Sequence, residues 1–253
     1  VSEVMLQQTQ VVRVLEPWRK FLESFPTPEA CANASQADII RHWDGLGYHR
    51  RARSLHGAAI MICTEFGGEV PTSPDLLRRL PGVGEYTANA VASFAFDVSV
   101  AVLDTNVGRV LSRALVNRPL QHREAQAFAQ QLLPKAKSGI FNQAMLDLGA
   151  QYCRAIPKCD ECPVEGLCRW RQEGGVDPSK KSAGVSKPQS TFEGSRRQAR
   201  GRIIQALRTE SLSLSQARAI VGEKLGNQTL HILSDLRSDG LIEKYKDRWT
   251  LRA

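Results

Sequence analysis

Through most of the chain the apolar residues return every three to four positions, and period-two alternation is almost absent before residue 240. A chain with that rhythm closes its core by packing helix on helix, so the fold class read from it is mainly α. The run from Glu3 to Phe25 places Val4, Leu6, Val11, Val14, Leu15, Trp18 and Phe21 on a helical repeat, which Pro17 must kink or divide. Thr27-Pro28-Glu29 reads as a helix start, with Thr27 as cap and Pro28 in the first position. The same rhythm continues over 36–43, 50–66, 73–80, 85–96, 106–115 and 124–133, with Gly, Pro and Asp at the joints.

Beyond residue 170 the composition changes. Residues 171–194 are rich in Gly, Ser, Pro and Lys and poor in large apolar residues, which reads as a flexible linker. Three helical runs follow, 195–208, 213–221 and 227–238. A turn at Asp239-Gly240 then leads to two short strand-like runs, 241–245 and 248–251, joined at Lys246-Asp247. Three helices and a hairpin in so short a span have the layout of a winged helix. The expected organisation is therefore a helical domain over 1–170, a linker over 171–194 and a basic winged-helix-like domain over 195–253. A small helical cap with a frayed tail is the plainer reading of the last segment.

The formal net charge of +8 points to a polyanionic partner. Residues 195–253 hold 12 Lys and Arg against 6 Asp and Glu, so this segment carries +6 of the excess. Surface charge kept for solubility reads the same way on composition alone. No apolar run reaches the ~18 residues that span a membrane, and no secretory or transit segment is visible. The chain starts with Val1 inside an expected helix, so its beginning reads as cut.

Three short motifs could carry chemistry. In Leu80-Pro81-Gly82-Val83-Gly84 one helix ends and a tight turn opens another, where free N–H groups can bind a phosphate. By itself such a turn is weak. About twenty residues on, Asp104 opens a helix after an apolar stretch in Val102-Leu103-Asp104-Thr105-Asn106, where an ordinary helix cap is the bland reading. Near the start, Ser2-Glu3-Val4-Met5-Leu6-Gln7-Gln8-Thr9 sets one acid and several uncharged polar residues on an otherwise apolar helix. Cysteines supply a fourth pattern. Cys153, Cys159, Cys162 and Cys168 lie at spacing x5, x2, x5, while Cys31 and Cys63 stand alone as small core residues. Four thiols this close, with no export signal, favour a metal over disulfides. Zinc and an iron–sulfur cluster are both open, and the single C-x2-C knuckle tilts toward the cluster.

In this order the four pieces resemble the helix-hairpin-helix DNA glycosylases that carry a 4Fe-4S cluster, and most of all their adenine-specific MutY branch. SEVMLQQT (2–9), GLGYHRRARSLH (45–56), LPGVGEYTANAV (80–91) and VLDTNVGRVLSR (102–113) carry the resemblance, which covers residues 1–170. It implies hydrolysis of the N-glycosidic bond of an adenine mispaired with guanine or 8-oxoguanine, after the nucleotide is flipped from the duplex. By resemblance Glu3 is the general acid on the adenine ring, and Asp104 stabilises the cationic sugar. Tyr86 assists at that sugar and Asn106 orients water. Gln8, Leu46 and Tyr48 enter the base stack, and Gly82, Val83 and Gly84 hold a DNA phosphate. Cys153, Cys159, Cys162 and Cys168 hold the cluster.

The resemblance also implies a limit on the chemistry. Strand-cutting relatives have Lys where this chain has Tyr86, so a monofunctional enzyme is expected. The expected setting is a monomer on double-stranded DNA, intracellular and away from membranes. A thymine or uracil mismatch glycosylase of the same fold is the nearest alternative. A catalytically inactive iron–sulfur DNA-binding protein and a regulator built on the winged helix come from other classes. Three departures from the family stand out. Five residues rather than six separate the first two cluster cysteines, His49 follows Tyr48 where a second Tyr is common, and the tail does not resemble the usual Nudix-like one.

Overall fold

In the computed structural model, which describes residues 1–182 and 191–253, the first helical run breaks at Gln8 and not at Pro17. Helices α1 (Ser2–Leu6) and α2 (Val11–Ser24) flank the break. Gln8 takes φ +57°, a left-handed backbone that no right-handed helix continues through. Pro17 sits inside α2, where it removes one backbone donor without ending the helix. α3 (Pro28–Asn33) starts as its sequence says, with the Thr27 hydroxyl accepting from the Ala30 N–H at 3.1 Å. Ser35 caps α4 (Gln36–Arg41) in the same way, and α5 (Arg50–Glu65) follows.

The next helices are α6 (Pro74–Leu77), α7 (Glu85–Phe96), α8 (Thr105–Val110), α9 (His122–Leu132), α10 (Ser138–Gln151) and α11 (Arg169–Glu173). The run expected over 106–115 is α8 followed by a π-helical turn over Leu111–Val116. The last group comprises α12 (Arg196–Leu207), α13 (Leu214–Val221) and α14 (Thr229–Ser238), with the antiparallel hairpin β1 (Ile242–Tyr245) and β2 (Arg248–Leu251). Ser213 and Gln216 form a reciprocal capping box at α13. Lys246 turns the hairpin with φ +51°.

The described residues fall into two compact units. The first holds Val1–Pro71, Arg79–Gly82 and the described part of Gln189–Ala253. The second holds Thr72–Arg78 and the described part of Val83–Pro188. In the first unit one apolar core joins Phe21, Ile39, Ile40 and Trp43 of the N-terminal helices to Ile203, Ile204, Ile232, Leu233 and Trp249 of the C-terminal segment. Fully burying one such side chain stabilises by about 1.5–3 kcal/mol. The Gln36 amide donates to the Gly240 carbonyl at 2.6 Å and Arg53 to that of Asp239 at 2.8 Å. Residues 195–253 thus show the expected three helices and hairpin, but they share the core of the N-terminal helices.

The second unit has its own core, with Ala101, Leu103, Val107, Leu111 and Leu120 at its centre. Buried amides hold the extended segment ahead of α8. Asn142 donates to the Ser93 hydroxyl (2.9 Å) and the Val100 carbonyl (2.8 Å) and accepts from the Val102 N–H (3.2 Å). Asn89 donates to the Ala101 carbonyl at 3.0 Å. Part of the expected flexible linker belongs to this unit too. Pro178 and Ser179 are buried, and the Ser182 hydroxyl accepts from the Leu120 N–H at 3.1 Å. Composition hides this because the anchors are small and polar. Residues 183–190 of that linker lie outside the described residues.

Candidate active site

Asp104 ends the held segment and caps α8. One carboxylate oxygen accepts from the Val107 N–H at 2.8 Å and the other from the Asn106 amide at 2.8 Å. Burial raises the Asp104 carboxyl above its ordinary range, and those two donors and Arg109 pull it back. Asn106 is itself fixed: its Oδ1 accepts from Arg109 at 2.6 Å. The same guanidinium donates to the Gly149 carbonyl at 3.0 Å and the Cys153 carbonyl at 2.9 Å. Gly149 is needed there, since a Cβ on it would lie 2.6 Å from the Asn106 Cβ. Asp104 is thereby joined through Asn106 and Arg109 to the first cysteine of the clustered four.

The glycine turn sits before α7. Gly82 has φ +76°, and a Cβ there would lie 2.5 Å from that of Ser54. Gly84 is the N-cap of α7 and provides no side-chain cap. The dipole of a helix favours an anion at such an end. Val83 is half-buried in this turn, and Tyr86 stands half-buried in the first turn of α7.

Glu3 lies on α1 in the first unit. Burial raises its carboxyl above the ordinary range. A residue with no signature in the sequence sets α1. Arg51, 9% exposed, donates to the carbonyls of Val4 (2.9 Å), Met5 (2.7 Å) and Gln7 (2.6 Å) at the end of that helix. Its other arm donates to the Thr9 hydroxyl (3.0 Å) and the Leu46 carbonyl (3.1 Å). Burial lowers this guanidinium to about 10. Arg51 therefore ties the Glu3 helix to the Gly-Leu-Gly-Tyr loop. In that loop Leu46 is 2% exposed and belongs to the core, while Tyr48 is 36% exposed with φ +46°. Gln8 is exposed.

The four clustered cysteines line one cavity in the second unit, together with Arg113 and Trp170. All six cysteines are free thiols. Arg113 NH1 donates to Cys153 Sγ at 3.4 Å and to the Arg154 carbonyl at 2.7 Å, which fixes the start of the loop. Burial raises the Cys153 thiol, and Arg113 and Arg109 counter it. Among the described residues no three of His, Cys, Asp and Glu gather closely enough to hold a single metal ion. The donors present fit a group that takes its thiolates from around a cavity, one per iron.

Arg113 is 1% exposed and pairs with Asp177 at 2.6 Å and 2.9 Å. Burial opposes the Asp177 charge, but hydrogen bonds from Arg113 and Ser179 outweigh it and hold the carboxyl at about 2. Asp177→Asn is expected to leave a buried guanidinium without its counter-charge. Breaking one side of such a pair costs about 3–5 kcal/mol, and the measurement is the denaturant midpoint of the full chain. An unchanged midpoint would show that the pair contributes nothing to stability.

The sequence matches the HhH-GPD superfamily base excision DNA repair protein model over residues 1–135, and the chain belongs to that family. It is similar to the adenine DNA glycosylase of Mycolicibacterium smegmatis, 39% identical over 252 residues that cover 98% of this chain and 84% of that protein. To the adenine DNA glycosylase of Homo sapiens it is 44% identical over 179 residues, 68% of this chain and 33% of the human protein. Two solved structures share the fold over 68% of this chain and 82% of theirs. A thermostable thymine-DNA glycosylase superposes with a TM-score of 0.63 at 28% identity, and a trapped endonuclease III–DNA covalent intermediate with 0.62 at 30%. No helix among the described residues is long and apolar enough to cross a membrane.

Proposed function

We propose that this chain is a monofunctional adenine DNA glycosylase of base excision repair, acting as a monomer on adenine opposite guanine or 8-oxoguanine. The observation that carries the reading is a pair of carboxyls in unlike settings. Burial raises both carboxyls, and Asp104 is in addition gripped by two hydrogen-bond donors. Two carboxyls in two environments suit two roles, an acid and a charge stabiliser. Glu3 protonates the adenine ring, making it a leaving group, and later helps activate water. Asp104 faces the sugar cation as the bond breaks, Asn106 orients the water, and Tyr86 assists at the sugar. Gly82, Val83 and Gly84 hold a phosphate of the same DNA. A phenol at position 86 cannot form a Schiff base. Tyr86→Lys should therefore introduce an adduct with DNA that borohydride traps, and its absence would show that position 86 does not reach the sugar. Thymine released from G·T faster than adenine from A·G in a single-turnover competition would overturn the substrate assignment.

Cys153, Cys159, Cys162 and Cys168 would hold a 4Fe-4S cluster, with Arg113 and Arg109 setting the start of their loop. Bound there, the cluster crosslinks four points of the loop through iron–thiolate bonds. The purified protein is expected to be brown with about four irons per chain. Stoichiometric zinc without iron in elemental analysis would contradict this.

A further inference from the structure

Arg51 is a charged side chain placed where charge is costly. It is buried, and burial lowers its guanidinium to about 10. Among the described residues no carboxylate pairs with it, and its buried Nε has no hydrogen-bond partner. A buried charge without its counter-charge costs stability, and an apolar side chain would fill the space at lower cost. The position therefore calls for something a guanidinium does and an apolar group cannot.

What it does is bind two segments at once. One nitrogen takes the carbonyls of Val4, Met5 and Gln7, at the end of α1, where a helix leaves its last carbonyls unpaired. A cation there also suits the helix dipole. The other nitrogen takes the Thr9 hydroxyl and the carbonyls of Leu46 (3.1 Å) and Gly47 (3.4 Å). The guanidinium lies 5.5 Å from the Trp43 ring centroid and 5.4 Å from that of Tyr48. Gln8 and Tyr48, beside it, hold left-handed backbones that side chains seldom adopt. Gln8 stands between two acceptors of Arg51, Gln7 and Thr9, and Tyr48 follows a third, Gly47. Such strain persists only where the surroundings over-determine it. The Gln7 amide in turn donates to the Gly82 carbonyl at 3.3 Å, so the glycine turn is fastened to the same point.

We propose that Arg51 is the positioning residue of the Glu3 acid. It locks α1 to the Gly-Leu-Gly-Tyr loop, so the acid meets the flipped nucleotide in register with the Gln8 and Tyr48 side chains that enter the stack. The inference rests on the glycosylase reading, which supplies those roles of Glu3, Gln8 and Tyr48. Arg51 touches neither base nor sugar and acts through Glu3. Lysine cannot replace it, because an ammonium is a single point of donors and reaches one of the two segments, not both.

The test is a double-mutant cycle on the full chain, read by single-turnover release of adenine from a duplex carrying adenine opposite 8-oxoguanine. The protein is in saturating excess, so weaker binding drops out of the rate. Arg51→Lys should lower that rate about tenfold or more, as a misplaced catalytic group does. In a Glu3→Gln background, followed over long incubation, the same substitution should change the residual rate by less than about twofold, because no acid is left to misplace. A merely structural role would lower both rates by the same factor. Thr9→Val removes one acceptor of the second nitrogen and should repeat the pattern more weakly; it takes over the test if Arg51→Lys melts early. An unchanged rate in both variants would overturn the proposal, and so would a loss that persists in full in the Glu3→Gln background. Absence of adenine release by the wild type would instead sink the glycosylase reading. Amide exchange of the free protein would then still decide the lock: faster exchange across Val4–Gln7 in Arg51→Lys supports it, and equal exchange overturns it.

Discussion

Glu3→Gln is expected to lower single-turnover adenine excision by roughly 10²–10⁴-fold, the range that a positioned general acid supplies. The amide keeps the shape of the side chain, so duplex affinity should stay within experimental error of wild type. Glu3 must be protonated to act, and burial raises its carboxyl. The wild-type rate should then hold on the acid side and fall as pH rises through that raised value. In Glu3→Gln the limb assigned to this group should vanish along with most of the rate. Wild-type excision in the variant would place the acid elsewhere and remove the catalytic role from this N-terminal segment.

The second large effect is expected from Asp104→Asn. Loss of one preorganised charge facing a developing cation costs roughly a hundredfold in rate. The fold should survive, because Asn caps a helix about as well as Asp and can still accept from the Val107 N–H. Its amide, however, would meet the Asn106 amide, donor against donor. Asn106 cannot simply turn, since its Oδ1 is held by Arg109 at 2.6 Å. Asn106→Ala frees one Asp104 oxygen and leaves the charge in place. It should cost less rate than Asp104→Asn, since the charge remains. Equal losses in the two variants, measured by single-turnover excision with matched melting midpoints, would mean that the Asn106 amide counts for as much as the Asp104 charge.

Much of this architecture is legible in the sequence where the cause is local. Thr27-Pro28, Ser195 and the Ser213–Gln216 box announce their helices because a cap is chemistry between neighbours. Gly82 announces its turn because only glycine suits that backbone so close to Ser54. What stays hidden is set at long range. No Gly or Pro marks the break at Gln8. Arg51 gathers the carbonyls that end α1, and it comes from more than forty residues away. Arg113 draws Asp177 onto the cysteine segment across sixty-four residues, so a stretch with a linker's composition becomes part of a packed unit. Leu46 shows the same limit. Its motif places it among DNA-facing residues, while its side chain lies in the core. The contact of α12 with the Gly-Leu-Gly-Tyr loop is equally invisible before folding, because Arg197 meets Tyr48 across 149 residues.

Adenine glycosylase activity is decided by identifying the base that the unmodified protein releases from a duplex carrying adenine opposite 8-oxoguanine. Under single-turnover conditions free adenine is expected by chromatography, with the strand unbroken until alkali is added. Release of no base, or a strand break without alkali in step with base loss, would contradict it.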